Sequence, residues 1–233
     1  IRENFSCGEF EVRALDLLND LFEKHDTVIA VGGSGLYVRA LCEGMDDLPH
    51  TDEKLRWELN NRFEHEGLAP LLEELQRLDP EYYEVVDRNN PARVLRAVEV
   101  CLQTRRPYSS LRTGMPRKRD FKIIKIGIDM PREELYDRIN RRVDSMMAAG
   151  LEEEARAVYP YRRFNSLQTV GYKELFDFFD GKISRDEAVG LIKRNTRRYA
   201  KRQLTWFRRD GEIRWFANDA FDAMVKYVLD NTI

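Results

Sequence analysis

The sequence predicts an α/β domain interrupted by an all-helical segment. Three observations carry that expectation. The apolar run at residues 28–31 of "VIAVGGSGLYV" stops at Gly32 and Gly33 and leads into a helix-like pattern, as a buried strand does when it enters a turn and leaves as a helix. "FKIIKIGIDM" alternates apolar and polar residues, the period of a strand. Between them, residues 51–115 have purely helical periodicity, so the domain is expected to comprise 1–50 and 116–233, with 51–115 inserted.

Taken in order, "GEFEVRALDLLNDLFEKHD" spaces leucines and a phenylalanine as a helix does, and the strand and glycine turn follow. "EGMDDLPHTD" is a polar, proline-containing linker. Within the insertion, Leu55, Leu59 and Phe63 recur four apart and Gly67 ends that helix. A second helix stops near Pro80. The third, "NPARVLRAVEVCLQTRRP", has Asn90 to accept a first-turn N–H and Pro91 where a missing N–H costs nothing. After the linker "LRTGMPRKRD" and the second strand, Asp129 is placed to cap a helix begun by Pro131 and ended at Gly150. Two short helices precede a long one, "SRDEAVGLIKRNTRRYAKRQLTWFRRDG", which Ser184 and Glu187 open as a capping box. "IRWF" reads as a last short strand.

Of 233 residues, 42% are hydrophobic, enough for a core, and 34% are charged; the net charge of −2 does not by itself point to nucleic acid. No stretch reaches membrane-spanning length. Cys7, Cys42 and Cys101 are odd in number and far apart, which fits reduced thiols and a cytoplasmic location. His25, His50 and His65 show no zinc spacing, and no metal-ligand set is read from the chain.

Three stretches carry candidate chemistry. A helix N-terminus after the Gly32–Gly33 turn offers free N–H groups to an anion, yet Val38 stands where the dinucleotide fingerprint needs its third glycine. The pattern GxxxxGK followed by Ser or Thr occurs nowhere, so this remains either a phosphate contact or a tight corner. In the long helix, eight basic residues and no acidic one lie between Lys193 and Arg209. Lys193, Arg194, Arg197, Arg198, Lys201 and Arg202 share half of its circumference; Ile192, Tyr199, Ala200, Trp206 and Phe207 occupy the other and are expected to pack. A one-signed face favours a polyanion such as RNA or DNA over a merely solvated surface. In "NPARVLRAVEV", Val94, Leu95, Val98, Cys101 and Leu102 form an apolar stripe from which Arg93 and Arg96 project away, placed for phosphates or unpaired bases, or simply as surface arginines.

In this order, "VGGSGLYVRALCEGMDDLP", "NPARVLRAVEV", "LYDRINRRVDSMMAAGLEEEAR", "TVGYKELFDFFDG" and "IKRNTRRYAKRQLTWFRRD" resemble the tRNA dimethylallyltransferase (tRNA isopentenyltransferase) family. The resemblance implies a core like that of the phosphate-loop kinases, with a parallel sheet, and a helical insertion that grips the anticodon stem. It implies transfer of a dimethylallyl group from dimethylallyl diphosphate to N6 of the adenosine 3′ of the tRNA anticodon, with Mg²⁺ held by the diphosphate, in a monomeric protein without a membrane. It places Ser34 at the reaction centre, Arg142 on the diphosphate with Arg138 one turn away, and Gly32 and Gly33 along the channel. Arg56, Ala92, Arg93, Val94, Leu95, Arg96, Gln168, Thr169, Val170, Gly171, Tyr172, Lys173, Lys201 and Arg202 would meet the tRNA. Ser34 stands where the family usually has Thr, keeping the hydroxyl. Ala92 replaces a common Gln, which removes one polar contact.

The family's phosphate loop and catalytic aspartate would lie before Ile1. The 233 residues alone are therefore expected not to turn over substrate. Two rivals remain: an adenylate isopentenyltransferase acting on a free nucleotide, for which the insertion would be superfluous, and a non-catalytic RNA-binding fragment.

Overall fold

In the computed structural model, which describes residue 1 and residues 5–232, the chain divides into two compact units. One comprises Ile1–Cys42 with Arg119–Ile233, the other Glu43–Lys118.

The first unit opens with α1 (Cys7–Phe22), where Ser6 and Glu9 complete a reciprocal capping box. Phe10 stacks on Tyr37 of α2 (Gly35–Glu43) with ring centroids 4.5 Å apart, fixing the two helices together. Arg119 strengthens that junction. Its guanidinium ion-pairs with Glu11 at 2.7 Å and donates to the carbonyls of Ala40 and Leu41, which the end of α2 would otherwise leave without partners.

Two strands, β1 (Ile126–Asp129) and β2 (Arg214–Ala217), pair in parallel with Ile126 opposite Arg214 and Asp129 opposite Ala217. The helices α8 (Arg132–Ala148), α9 (Leu151–Val158), α10 (Tyr172–Phe179) and α11 (Arg185–Phe207) form the crossover between them. A parallel pair requires such a connection. The crossover core unites Val143, Leu151, Ala155, Leu175, Phe176 and Ile192. α12 (Phe221–Thr232) closes the unit, its Tyr227 against Phe216 of β2.

Three expectations are corrected here. Residues 28–31 form no strand: Ile29 and Val31 are 84% and 93% exposed. An apolar run becomes a strand only where a neighbour takes its backbone hydrogen bonds, and β1 and β2 take each other's. Only four residues of "FKIIKIGIDM" are strand, matching the length of the partner. Asp129 does not cap α8; one of its carboxylate oxygens accepts from the Met130 N–H and the other from Arg208 at 2.8 Å. At Ser184 the first half of the expected box is present, the hydroxyl accepting from Glu187 N.

The second unit holds α3 (Glu53–Glu66), α4 (Ala69–Leu78), α5 (Pro80–Val85), α6 (Pro91–Thr104) and α7 (Tyr108–Leu111). Gly67 ends α3 and Asn90 caps α6, as their residue types dictate. Leu59, Leu71, Leu75, Val94, Ala97 and Val98 form its core. Buried Asp79 caps α5 by accepting from Tyr82 N, and also accepts from the amide and hydroxyl of Ser109, joining α5 to α7. Asp46 accepts from both donors of Thr113 and from Gly114 N, which holds the unit's two chain ends together. Among the described residues no helix is long and apolar enough to cross a membrane.

Candidate functional site

In the first unit, the Gly32–Gly35 turn is docked on the C-terminal half of α11. Gln203 donates to the Gly33 carbonyl at 2.7 Å. A Cβ on Gly35 would lie 2.4 Å from the Trp206 indole, so only glycine permits this approach. Ser34 precedes α2 and its carbonyl accepts the Val38 N–H, giving the first intrahelical bond. Its half-buried hydroxyl has no partner among the described residues, leaving a donor and an acceptor for a ligand. The turn is thus a tight corner, made by glycines that meet side chains of the cationic helix, and it presents a hydroxyl beside that helix.

α11 does not show six cations to solvent. Lys193 ion-pairs with Asp144 and Arg197 donates to Asn140 at 2.6 Å, so both are spent on α8. Arg194, Arg198, Lys201 and Arg202 remain exposed. The expected aromatic packing face is also corrected: Tyr199 and Trp206 are 43% and 40% exposed, and Arg202 lies 5.7 Å from the Tyr199 ring. The period placed them opposite the cations. However, the packed stripe of a helix is set by its neighbours, and α8 and α10 take Ile192, Lys193 and Arg197.

α8 carries Arg138 and Arg142 four residues apart, both exposed and without partners among the described residues. Asn140 and Asp144 on the adjoining face hold α11. From Arg197 to Gln203 α11 rises about 9 Å. One rigid helix therefore positions both the turn of Ser34 and the helix of Arg142.

Residues 168–173 form the entry to α10. Gly171 has φ +106°, a conformation that a residue with a Cβ rarely adopts. Its N–H donates to buried Glu174 at 2.8 Å, and the other oxygen of that carboxylate accepts from Asn195 of α11 at 2.7 Å. Thr169 and Lys173 are exposed and Val170 is half-buried. Gln168 spends its amide on the Arg162 carbonyl. Tyr172 donates to Glu154, and that hydrogen bond, with burial, pushes its phenol above the usual range.

In the second unit, Ala92 and Arg93 are exposed on the first turn of α6. Val94 and Leu95 lie in the helical core, on the apolar stripe that folds α6. Arg56 and Arg96 share one carboxylate. Both donate to Glu99 Oε2, Arg96 at 2.9 Å, and Arg96 also donates to the Pro49 carbonyl at 2.7 Å. The supporting residues Glu99, Glu174, Asn195, Gln203 and Trp206 were not singled out from sequence for these roles. For Glu99 a signal existed, an acid at a core position of the apolar run "RAVEV".

Among the described residues no three His, Cys, Asp or Glu side chains converge as a metal cage.

The chain matches the family model described as IPP transferase over residues 1–210. It is similar to the tRNA dimethylallyltransferase of Cytophaga hutchinsonii, at 56% identity over 216 residues, covering 93% of this chain and 71% of that protein. It is similar to tRNA dimethylallyltransferase 1 of Phocaeicola vulgatus, at 49% identity over 98% of this chain and 76% of that protein. Among solved structures, the full-length tRNA isopentenylpyrophosphate transferase of Bacillus halodurans is 37% identical with a TM-score of 0.63, covering 98% of this chain and 73% of that one. These likenesses run through the turn at Ser34, the arginine helix α6 and the cationic helix α11 alike, and the chain belongs to the IPP transferase family.

Proposed function

We propose that this protein transfers a dimethylallyl group from dimethylallyl diphosphate to N6 of the adenosine 3′ of a tRNA anticodon. The observation that carries the reading is the docking of the Gly33–Gly35 turn on α11, which ties Ser34, whose hydroxyl has no partner among the described residues, to the helix that bears the exposed cations Arg194, Arg198, Lys201 and Arg202. A neutral small substrate would not need that charge. A polyanion does.

In the reaction N6 attacks the allylic carbon, the carbon–oxygen bond to diphosphate breaks, and the amine loses a proton. The exocyclic amine is a weak nucleophile because its lone pair is delocalised into the ring, so removal of that proton by a base assists the attack. The adenosine leaves its stack to reach the carbon. Ser34 donates to the developing transition state, and Arg142, with Arg138 one turn away, takes up charge on the departing diphosphate. Lys201 and Arg202, with Arg194 and Arg198, meet the tRNA backbone. Arg56, Ala92, Arg93, Arg96 and residues 168–173 contact the anticodon arm. The diphosphate brings Mg²⁺ with it, and the protein works as a monomer in the cytosol, where its tRNA is.

The test uses the product of the complete reading frame that encodes this chain, with labelled dimethylallyl diphosphate. Three acceptors are compared: an anticodon stem-loop, the same loop with guanosine in place of the target adenosine, and AMP. Label in the first alone is expected. Label in AMP at a comparable rate favours a free-nucleotide enzyme, and tight binding of the stem-loop with no label favours an RNA-binding module.

A further inference from the structure

The buried carboxylate of Glu99 plays no chemical part in the reaction above, and its surroundings call for an explanation. Glu99 is 0% exposed on α6, flanked by Ala97, Val98 and Val100, which are equally buried. An acid at such a position is disfavoured unless it is paired, and well-packed apolar residues often replace buried ion pairs without loss of stability. Here the pairing is lopsided. Two guanidiniums, Arg56 from α3 and Arg96 one turn back on α6, converge on the single oxygen Oε2. One carboxylate and two arginines leave a surplus positive charge. Glu99 Oε1 and Arg56 Nε are buried without hydrogen-bond partners among the described residues. The arrangement therefore does not saturate the hydrogen bonding of its members, as a site built only for stability would.

What the geometry does achieve is to hold two like charges side by side. Both arginine side chains keep part of their surface in solvent, 33% and 25% exposed. Alone they would repel and sample many rotamers. Bound to one oxygen, and with Arg96 further tied to the Pro49 carbonyl, they form a fixed pair with N–H donors to spare. Gln103 of α6 donates to the His50 carbonyl at 2.9 Å, laying residues 49–50 along the same helix.

We propose that Glu99 is a positioning residue for RNA recognition: it presents Arg56 and Arg96 as one preorganised, doubly cationic clamp for a phosphate of the anticodon arm. The inference rests on the reading that this chain binds tRNA, and it adds an acidic residue that no RNA contact would reveal. It makes a prediction opposite in sign to simple electrostatics. Removing a negative charge from an RNA-binding face should tighten binding and steepen its salt dependence. Removing a positioning carboxylate should weaken binding and flatten the salt dependence, because the guanidiniums no longer meet the phosphate together.

The test is fluorescence anisotropy of a labelled anticodon stem-loop with the 233-residue chain, over a range of salt concentrations, with thermal melts to confirm folding. The variants are Glu99→Gln, Arg96→Lys, Arg56→Ala and Arg96→Ala. Glu99→Gln is expected to weaken binding about 10-fold or more, the loss typical of hydrogen bonds to charged groups. It should also reduce the magnitude of the log–log salt slope by up to about 0.7 to 0.9, the contribution of the one phosphate the pair would meet. Arg96→Lys keeps the charge but cannot reach Glu99 and Pro49 O with a rigid fork, so it too should weaken binding. Equal or tighter binding by Glu99→Gln with a steeper slope overturns the proposal. If Glu99→Gln does not fold, Arg96→Lys decides, and wild-type affinity in that variant overturns it. Wild-type chain that fails to bind the stem-loop overturns the RNA reading itself. Binding that falls in both alanine variants but holds in Glu99→Gln and Arg96→Lys overturns only the positioning role.

Discussion

How many phosphates α11 engages can be counted from salt dependence, because the structure separates its cations into two groups. Lys193 and Arg197 are held by Asp144 and Asn140, whereas Arg194, Arg198, Lys201 and Arg202 are exposed. Each neutralised phosphate contributes about 0.7 to 0.9 to the slope of log affinity against log salt. Four such contacts give a contribution of about 3 to 4, or an affinity loss of about 50- to 150-fold between about 50 and 200 mM salt. Six, the number on the helical wheel, would give about 300- to 2000-fold over the same range. The assay is anisotropy of a labelled anticodon stem-loop, comparing wild type with a quadruple alanine variant of the exposed group and a double variant of the held pair. The quadruple variant should lower the slope by about 3 to 4 units and the double variant by less than about 0.5. Equal loss per cation in both groups would refute the argument that α8 has withdrawn two of them. An unchanged slope in the quadruple variant would refute the assignment of α11 to RNA.

Three further outcomes follow from the packing. Gly35→Ala forces a methyl to 2.4 Å from Trp206 and should destabilise the first unit by about 1–3 kcal/mol, read by urea titration and by a shift in Trp206 emission. Asp79→Ala removes an N-cap and both Ser109 bonds, so a loss of about 2–4 kcal/mol is expected in chemical denaturation; a change below about 0.5 kcal/mol would contradict that role. Burial pushes the Asp46 carboxyl up, but its bonds from Thr113 and Gly114 and the charge of Arg112 outweigh this and hold it below the usual carboxylate range. A depressed folded value means that its stabilisation is present above the unfolded value, near about 4, and is lost as pH falls through the folded one. An NMR titration should therefore show the Asp46 midpoint rising in Thr113→Ala, and a midpoint that stays put would count against the bond.

The longer helices were legible where they carried local instructions, such as the four-residue spacing in α3, Asn90 and Pro91 at the start of α6 and Ser184 at the start of α11, whereas α5, α7 and α12 were not read from the sequence. The first strand was legible from its alternation of apolar and polar residues, and the second only as a short apolar run. What depended on neighbours was not. Residues 28–31 have the composition of a buried strand but no pairing partner among the described residues, and Tyr199 and Trp206 have the composition of a packed face but stand half in solvent. Arg56 and Arg96 could be picked from their motifs, yet their meeting on one buried oxygen links residues 43 positions apart. No period reports a contact of that range. The same is true of Gln203 on the Gly33 carbonyl, 170 positions away.

The most direct measurement is single-turnover transfer to an anticodon stem-loop by the product of the complete reading frame, wild type against Ser34→Ala. Loss of a hydrogen-bond donor to the transition state should slow the chemical step by about 100- to 1000-fold. The dissociation constant of the stem-loop should stay within about twofold, because Ser34 lies at the turn and not among the exposed cations of α11. A Ser34→Ala enzyme that transfers the group at the wild-type rate would contradict the account.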